Sequence, residues 1–148
     1  IGILYQDDDE RYFNKVRNFA KEIKDHFNVK TIRAIGYVPL KEKMLPIWQS
    51  QKLEFGYFTS DDLNWHLKPI QRTTAFKNEE FDILIDLSDG DVLPLAFLFK
   101  ESKAKMKVCI QDSISGKSGD FLLMMAPPLN FEKYIQQIKS YLGNPALK

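Results

Sequence analysis

Acidic side chains carry the strongest chemical signal in this sequence. Three aspartates in a row, Asp7, Asp8 and Asp9, follow an opening apolar run, and Asp86 ends a second apolar run. Carboxylate oxygens are the ligands that Mg²⁺ prefers, so these groups would suit a hard cation if the fold brought them together. Acids at the start of a helix also cap its free N–H groups and favour its dipole. The capping role needs no ion and is the interpretation that we adopt, without a dedicated metal site.

The two acidic segments resemble parts of a response-regulator receiver domain. Residues 3–10 look like the first strand and the acids that hold Mg²⁺ in that family, and residues 81–87 resemble the strand of the phosphoacceptor, here Asp86. Two predicted strands separate these segments, whereas a receiver has one, and Ala126 stands before Pro127 where a receiver has a lysine. The resemblance implies a receiver-like or Mg²⁺-dependent phosphoryl-handling domain, which we keep as an alternative function.

An aromatic and polar segment is the most distinctive stretch of the chain. It contains Asp62, Asn64, Trp65 and His66. These groups would form a loop that grips a ligand, and His66 would be the acid–base group of a small-molecule enzyme. Alternatively, Trp65 and Leu67 cover the edge of the core while Asn64 bonds the loop backbone. We favour the second interpretation because burial of an indole ring stabilises a fold by a few kcal/mol.

Other catalytic and nucleotide-binding patterns are incomplete. Acids follow the first strand in place of a Gly-x-Gly-x-x-Gly turn, so we expect no dinucleotide site there. The Gly116-Lys117-Ser118 segment lacks the glycine that a phosphate loop needs five residues earlier, where Gln111 stands. Cys109 lies inside an apolar run and is predicted to be inert packing. No motif identifies a cofactor.

Strands and helices alternate along the chain. Apolar runs predict six strands, at residues 1–5, 29–38, 53–58, 81–87, 105–110 and 121–125. Apolar residues at steps of three and four, with capping and stop signals, predict helices at residues 13–27, 73–78, 92–102 and 131–142. The serine- and glycine-rich residues 112–120 are predicted to form a mobile surface loop.

Three helix starts follow from capping patterns. Asp7 begins a capping-box variant before the first helix, and Thr59 with Asp62 predicts a single helical turn through Leu63-Asn64-Trp65. Asp91 as the cap of the helix at 92–102 would place Pro94 in the first turn, where its missing N–H costs nothing. These patterns predict where each helix begins relative to the preceding strand.

This order of elements predicts a single domain, residues 1–148, with a three-layer α/β fold of Rossmann-like or flavodoxin-like type. A mainly parallel sheet of five to six strands would carry helices on both faces, with the first and fourth strands side by side. Binding sites of such sheets form beyond the carboxyl ends of the strands. The candidate ligand-binding residues at that edge are Asp8, Asp62, Asn64, Trp65, His66, Asp86 and Ser88.

Composition narrows the environment and the partners. The chain has 148 residues, with 21 Lys and Arg against 20 Asp and Glu and a net charge of +1. This balance disfavours nucleic acid as a partner, and no apolar run approaches the roughly 20 residues of a membrane span. A single cysteine without an export signal predicts a reducing, cytoplasmic location. The chain opens on Ile1 and not on methionine, so we expect residues to precede it.

Several segments resemble an uncharacterised family of small bacterial proteins of unknown function. They are Asp62-Leu63-Asn64-Trp65, Phe81-Asp82-Ile83-Leu84-Ile85-Asp86-Leu87-Ser88, Leu93-Pro94-Leu95 and Ser102-Lys103-Ala104-Lys105. The resemblance implies a Rossmann-like fold and brings no activity, and part of it is similar to one half of the sugar-transferring enzymes with two such domains. We therefore expect a non-enzymatic cytoplasmic domain that binds a small molecule or a protein, and neither nucleic acid nor membrane. The two alternatives given above stay open.

Overall fold

The computed structural model describes residues 1–7, 9–41, 54–88, 91–111, 115–123 and 130–143. Within these ranges the strands are β1 (Gly2–Gln6), β2 (Arg33–Val38), β3 (Phe55–Thr59), β4 (Ile83–Asp86), β5 (Met106–Ile110) and β6 (Phe121–Leu123). The helices are α1 (Glu10–His26), α2 (Thr74–Asn78), α3 (Leu93–Glu101) and α4 (Phe131–Leu142), with 3₁₀ turns at Ser60–Asp62 and Ser115–Ser118. Asp8, Ala126, Pro127 and parts of the predicted segments at 53–58, 112–120 and 121–125 lie outside the described residues.

The strands form one parallel sheet in the order β3-β2-β1-β4-β5-β6. The first and fourth strands lie side by side as predicted, with Leu4 opposite Asp86 in the register. Strands after β1 add outward on one side, and strands after β4 add outward on the other. The order therefore reverses between β1 and β4, which is the position where open α/β sheets form their crevice.

Side chains from the central strands enter two separate cores because successive residues of a strand point to opposite faces. Ile3 and Ile85 pack with α1 and α4 on one face, whereas Leu4 and Leu84 pack with α2 and α3 on the other. Each fully buried side chain of this kind contributes about 1.5–3 kcal/mol by leaving water. This alternation produces the three layers that the element order predicts.

Two predicted helix caps are wrong by one or two residues. The N-cap of α1 is Asp9, whose Oδ1 atom accepts a hydrogen bond from the N–H of Tyr12 at 2.7 Å. Asp7 cannot begin the helix because its own N–H still continues the sheet and donates to the carbonyl of Tyr37 at 2.8 Å. α3 is flanked by Val92, which packs against the core and offers no side-chain cap, in place of the predicted Asp91.

Residues 115–118, within the segment predicted to be a surface loop, form a 3₁₀ turn that packs on the sheet. Ser115 is 1 % exposed and begins the 3₁₀ turn. A Cβ at Gly116 would collide with the carbonyl oxygen of Gln111 and lie 3.0 Å from that of Ile110. The glycine therefore lets the turn pack directly on the end of β5. Among the described residues, no helix has the length and apolar character needed to cross a bilayer.

Candidate functional site

The carboxyl edge of the sheet is organised around Asp86, the last residue of β4. Its side chain is fully buried. The Oδ1 atom accepts hydrogen bonds from the N–H of Ser88 at 2.9 Å and from the hydroxyl of Ser88 at 2.6 Å. The Oδ2 atom accepts a third bond from the hydroxyl of Ser115 at 3.0 Å. Asp86 and Ser88, two of the predicted site residues, are thus in direct contact.

Two tyrosines complete this polar cluster, and the sequence analysis did not identify either of them. The hydroxyl of Tyr134 on α4 donates to the carbonyl of Asp86 at 2.5 Å, and the hydroxyl of Tyr12 on α1 donates to the carbonyl of Leu87 at 2.5 Å. A tyrosine within the apolar stripe of a helix is a usable signal, because a buried hydroxyl needs an acceptor. Both helices of one face therefore hold the backbone where β4 ends.

Two titratable side chains near Asp86, the thiol of Cys109 and the phenol of Tyr134, stay protonated at neutral pH. Burial, followed by the charges of Asp86 and Asp120, raises the pKa of the Cys109 thiol to about 12. Burial, followed by the charge of Asp86, raises the pKa of Tyr134 well above its usual value. A thiol with this pKa carries almost no thiolate at neutral pH. Cys109 is also completely buried, which confirms its predicted role in packing.

The geometry of Asp86 suits a structural hub better than a reactive group. Both carboxylate oxygens accept hydrogen bonds from the protein, and the side chain has no solvent-exposed surface. A phosphoacceptor needs an oxygen that an incoming phosphoryl group can reach. Within the described part of the chain, no group of three or more His, Cys, Asp or Glu side chains is placed to hold a metal ion. Asp8 lies outside that part.

A second group of predicted site residues follows β3. Asp62 is buried, and its Oδ2 atom accepts hydrogen bonds from the N–H of Thr59 at 2.8 Å and its hydroxyl at 3.3 Å. This confirms the predicted capping box, but the helical turn ends at Asp62 and does not continue to Trp65 as predicted. The Oδ1 atom of Asp62 lies 3.6 Å from Nε of Arg72. The same carboxylate therefore also pairs with a residue on the far side of the loop at residues 63–70.

Residues 63–70 form what we call the aromatic loop, and Asn64 braces its tip. The Oδ1 atom of Asn64 accepts hydrogen bonds from the N–H groups of His66 and Lys68, at 2.9 Å and 3.0 Å. Its own N–H donates to the carbonyl of Lys68 at 2.9 Å. Leu67 adopts a left-handed conformation with φ of 67°. Asn64 therefore bonds the loop backbone, as the second sequence interpretation expects.

The predicted burial of Trp65 and Leu67 is wrong. Trp65 is 85 % exposed, Leu67 is 50 % exposed, and Ile70 in the same loop is 54 % exposed. At the base of the loop Leu63 packs against the core and Pro69 is buried, so only the tip of the loop lies outside the core. The His66 ring lies against the indole of Trp65, with ring centroids 3.5 Å apart. The protein thus displays a braced aromatic pair to solvent.

The two groups of predicted residues do not share one cavity. β3 is the outermost strand on its side, and three strand spacings separate it from β4, which is about 14 Å. Lys68 Nζ lies 2.5 Å from Oε1 of Glu101, the last residue of α3. Because α3 runs back from the carboxyl edge to the start of β5, Glu101 lies at the end of the helix far from Asp86.

A cavity of about 550 Å³ lies at the opposite, amino edge of the sheet. Its walls combine apolar side chains such as Phe27 and Phe81 with the acids Glu79 and Asp82. Glu79 pairs with Arg33 at 2.8 Å, and Asp82 pairs with Lys105 at 3.3 Å. These carboxylates therefore have protein partners, and none of the predicted site residues lines this cavity.

The fold and these sites define an α/β domain with a parallel six-stranded sheet, a buried polar hub and an exposed aromatic loop. The chain belongs to a family of unknown function, DUF6913, whose family model matches residues 1–144. This confirms the resemblance to an uncharacterised family. Neither a curated protein nor a solved structure gives a significant match to the chain.

Proposed function

We propose that this protein is a non-enzymatic binding domain that presents its aromatic loop to a partner, either a protein or a small molecule. The observation that carries the proposal is the 85 % exposure of Trp65 on a loop held by Asn64. Exposed apolar groups that cluster on a monomer surface commonly mark contact sites. Tryptophan is also the residue type most enriched among side chains that dominate binding energy.

The rigidity of the loop supports this role. Hydrogen bonds from His66 and Lys68 to Asn64 and the β-bridge between Leu63 and Pro69 fix the backbone on both sides of Trp65. A loop that is ordered before association loses less conformational entropy when a partner binds. The aromatic pair is therefore displayed in a form that is ready for contact.

We also propose that the domain is Rossmann-like, cytoplasmic and bacterial. The strand order supports a Rossmann-like classification, because the 3-2-1-4-5-6 order is typical of that fold and differs from the flavodoxin-like order. The buried single cysteine supports a reducing, cytoplasmic location. The family resemblance stated from the sequence supports a bacterial origin. We propose neither nucleic acid nor membrane as a partner.

The structure gives less support to the two alternatives. The enclosed carboxylate of Asp86 argues against phosphoryl transfer, as described above. His66 is exposed and its ring faces the Trp65 indole. A general base is usually oriented by a carboxylate or carbonyl, so this arrangement favours a binding surface over an acid–base site.

Site-specific photo-cross-linking tests the proposal. A photoreactive phenylalanine derivative replaces Trp65 in one full-length variant and Leu122, which is 38 % exposed on β6, in a matched control. We expect a discrete covalent adduct from position 65 in cells and none from position 122. Adding Asn64→Ala to the first variant should lower the adduct yield, because it releases the brace. Equal labelling from both positions, or no adduct at 65, would contradict a protein partner at this loop.

A solution measurement covers a small-molecule partner. Trp48→Phe leaves Trp65 as the single tryptophan of the chain, which has two. Incorporation of 5-fluorotryptophan then gives a single ¹⁹F NMR signal, from position 65. We expect this signal to shift or broaden when one fraction of a dialysed cell extract is added. A change with the retained fraction indicates a macromolecule, and a change with the dialysable fraction indicates a small ligand. An unchanged signal with both fractions counts against the proposal.

A further inference from the structure

Three elements meet at Glu101, the last residue of α3. The Nζ atom of Lys68, in the aromatic loop, lies 2.5 Å from Oε1 of Glu101, and the Nζ atom of Lys77, in α2, lies 3.7 Å from Oε2. Each oxygen of one carboxylate thus receives a lysine from a different segment. α2 has an additional tie to the chain after α3, because the N–H of Lys103 donates to the carbonyl of Lys77 at 3.1 Å.

We propose that Glu101 acts as a latch that sets the orientation of the aromatic loop and thereby the geometry of the binding surface. This inference rests on the proposed function. Lys68 connects Glu101 to the loop tip. Its side chain contacts Glu101, while its backbone N–H donates to Oδ1 of Asn64 and its carbonyl accepts the N–H of Asn64. A change at Glu101 therefore reaches the brace that positions Trp65.

The electrostatics of Glu101 agree with a closed latch at neutral pH. The hydrogen bond from Lys68, followed by the charges of Lys68 and Lys77, lowers the pKa of Glu101. The carboxylate is therefore charged, with both lysines in place. The three side chains remain about one third exposed, at 39 %, 35 % and 31 % for Lys68, Lys77 and Glu101. Water reaches the pairs, and exposed pairs of this kind shift an equilibrium by roughly two- to fivefold.

Hydrogen exchange in the variant Glu101→Gln tests the latch. The N–H groups of Leu67 and Lys68 donate to the carbonyl and the Oδ1 atom of Asn64, so their exchange reports whether the loop is held. We expect Glu101→Gln and Lys68→Gln to accelerate exchange of the Leu67 amide by roughly two- to fivefold. The control Glu132→Gln breaks the pair with Lys15 on the other face of the sheet and should leave this rate unchanged.

The variant Lys77→Gln separates a latch from general stabilisation of α3. It removes the second lysine from Glu101 while leaving Lys68 in place, so the latch predicts an unchanged exchange rate at Leu67. Equal acceleration in Lys77→Gln and Lys68→Gln would overturn the proposal. An unchanged rate in Glu101→Gln, or uniform acceleration across the protein, would overturn it as well.

The outcomes of this test and of the cross-linking test are distinguishable. Unchanged exchange in Glu101→Gln removes the latch and leaves the adduct at position 65 unaffected. Absence of that adduct, together with no response of position 65 to either extract fraction, removes the proposed function. In that case the pair between Lys68 and Glu101 holds the loop without serving a partner, and the latch has no role in binding.

Discussion

The hydroxyl of Ser115 donates a hydrogen bond of 3.0 Å to Asp86, a residue that lies 29 positions earlier in the chain. This bond joins the end of β4 to the turn that follows β5. The same carboxylate bonds Ser88, and the backbone of Asp86 receives the hydroxyl of Tyr134. Three segments, the end of β4, the turn after β5 and α4, thus meet at one fully buried residue, and the stability of the carboxyl edge should respond to its removal.

We expect Asp86→Ala to lower the free energy of unfolding by about 3 kcal/mol, because two buried hydroxyls and one N–H lose their shared acceptor. Urea denaturation followed by circular dichroism measures this change. Asp82→Ala is the matched control, since that side chain is 83 % exposed and should cost less than about 0.5 kcal/mol. Equal effects of the two substitutions would contradict the role of Asp86 as a hub.

Tyr134 and Tyr12 make the same type of hydrogen bond with different burial. Tyr134 is fully buried, whereas Tyr12 is half-buried. We expect Tyr134→Phe to cost about 1–2 kcal/mol, because the carbonyl of Asp86 loses its donor inside the protein. Tyr12→Phe should cost about 0.5 kcal/mol, since water can replace the hydroxyl there. Thermal and urea denaturation compare the two, and a larger effect of Tyr12→Phe would refute this ranking.

Gly116 and Gly56 give a matched pair of glycines. A Cβ at position 116 would collide with the backbone oxygen of Gln111, whereas a Cβ at position 56 has no atom within 4 Å. We expect Gly116→Ala to destabilise the protein by about 2 kcal/mol or more, because the turn must move away from β5. Gly56→Ala should be neutral or stabilising by up to about 1 kcal/mol. Similar unfolding midpoints for both variants would show that the turn packs differently.

Trp65 should contribute little to stability despite its size. We expect Trp65→Ala to change the free energy of unfolding by less than about 0.5 kcal/mol, since the ring is 85 % exposed. Asn64→Ala should cost about 1–2 kcal/mol, because two loop N–H groups lose their acceptor. Chemical denaturation of both variants checks this. A loss of several kcal/mol in Trp65→Ala would support burial of the indole.

The reactivity of Cys109 should depend on unfolding. Burial raises its pKa from the usual 9.0 to about 12, so the folded protein carries almost no thiolate at pH 8. We expect a thiol reagent to leave the native protein unmodified and to label one thiol per chain in denaturant. Between pH 9 and 12 the thiol is ionised in the unfolded chain but still protonated in the folded protein. The free energy of unfolding should therefore fall as the pH rises through this range. Rapid labelling of the native protein would contradict this assignment.

Local sequence patterns predicted the elements and some of their contacts. Thr59 and Asp62 are three positions apart, and their capping box follows from that spacing alone. Asp7 was wrong as a cap because the end of β1 and the start of α1 compete for the same few residues, and the N–H of Asp7 remains bonded to the carbonyl of Tyr37. Asp91 was wrong because α3 begins at Leu93, directly after Val92, which packs against the core.

The candidate site was harder to predict because its contacts join distant segments. Tyr134 lies 48 residues after Asp86, and nothing in the spacing of either residue connects them. Trp65 was assigned to the core from its size, whereas in the folded protein Leu63 of the same loop packs against the core and Trp65 faces water. Side-chain type sets the preference for burial, and packing decides which side chain is buried.

The sequence by itself determined the alternation of strands and helices, the two-sided apolar pattern of the central strands and the capping box of Thr59 and Asp62, since each depends on residues a few positions apart. The tertiary structure alone decided that Asp86 is enclosed by Ser88, Ser115 and Tyr134 and that Trp65 faces water. Those outcomes require the complete sheet, because only its strand order brings the end of β4 under two helices and places β3 at the outer edge.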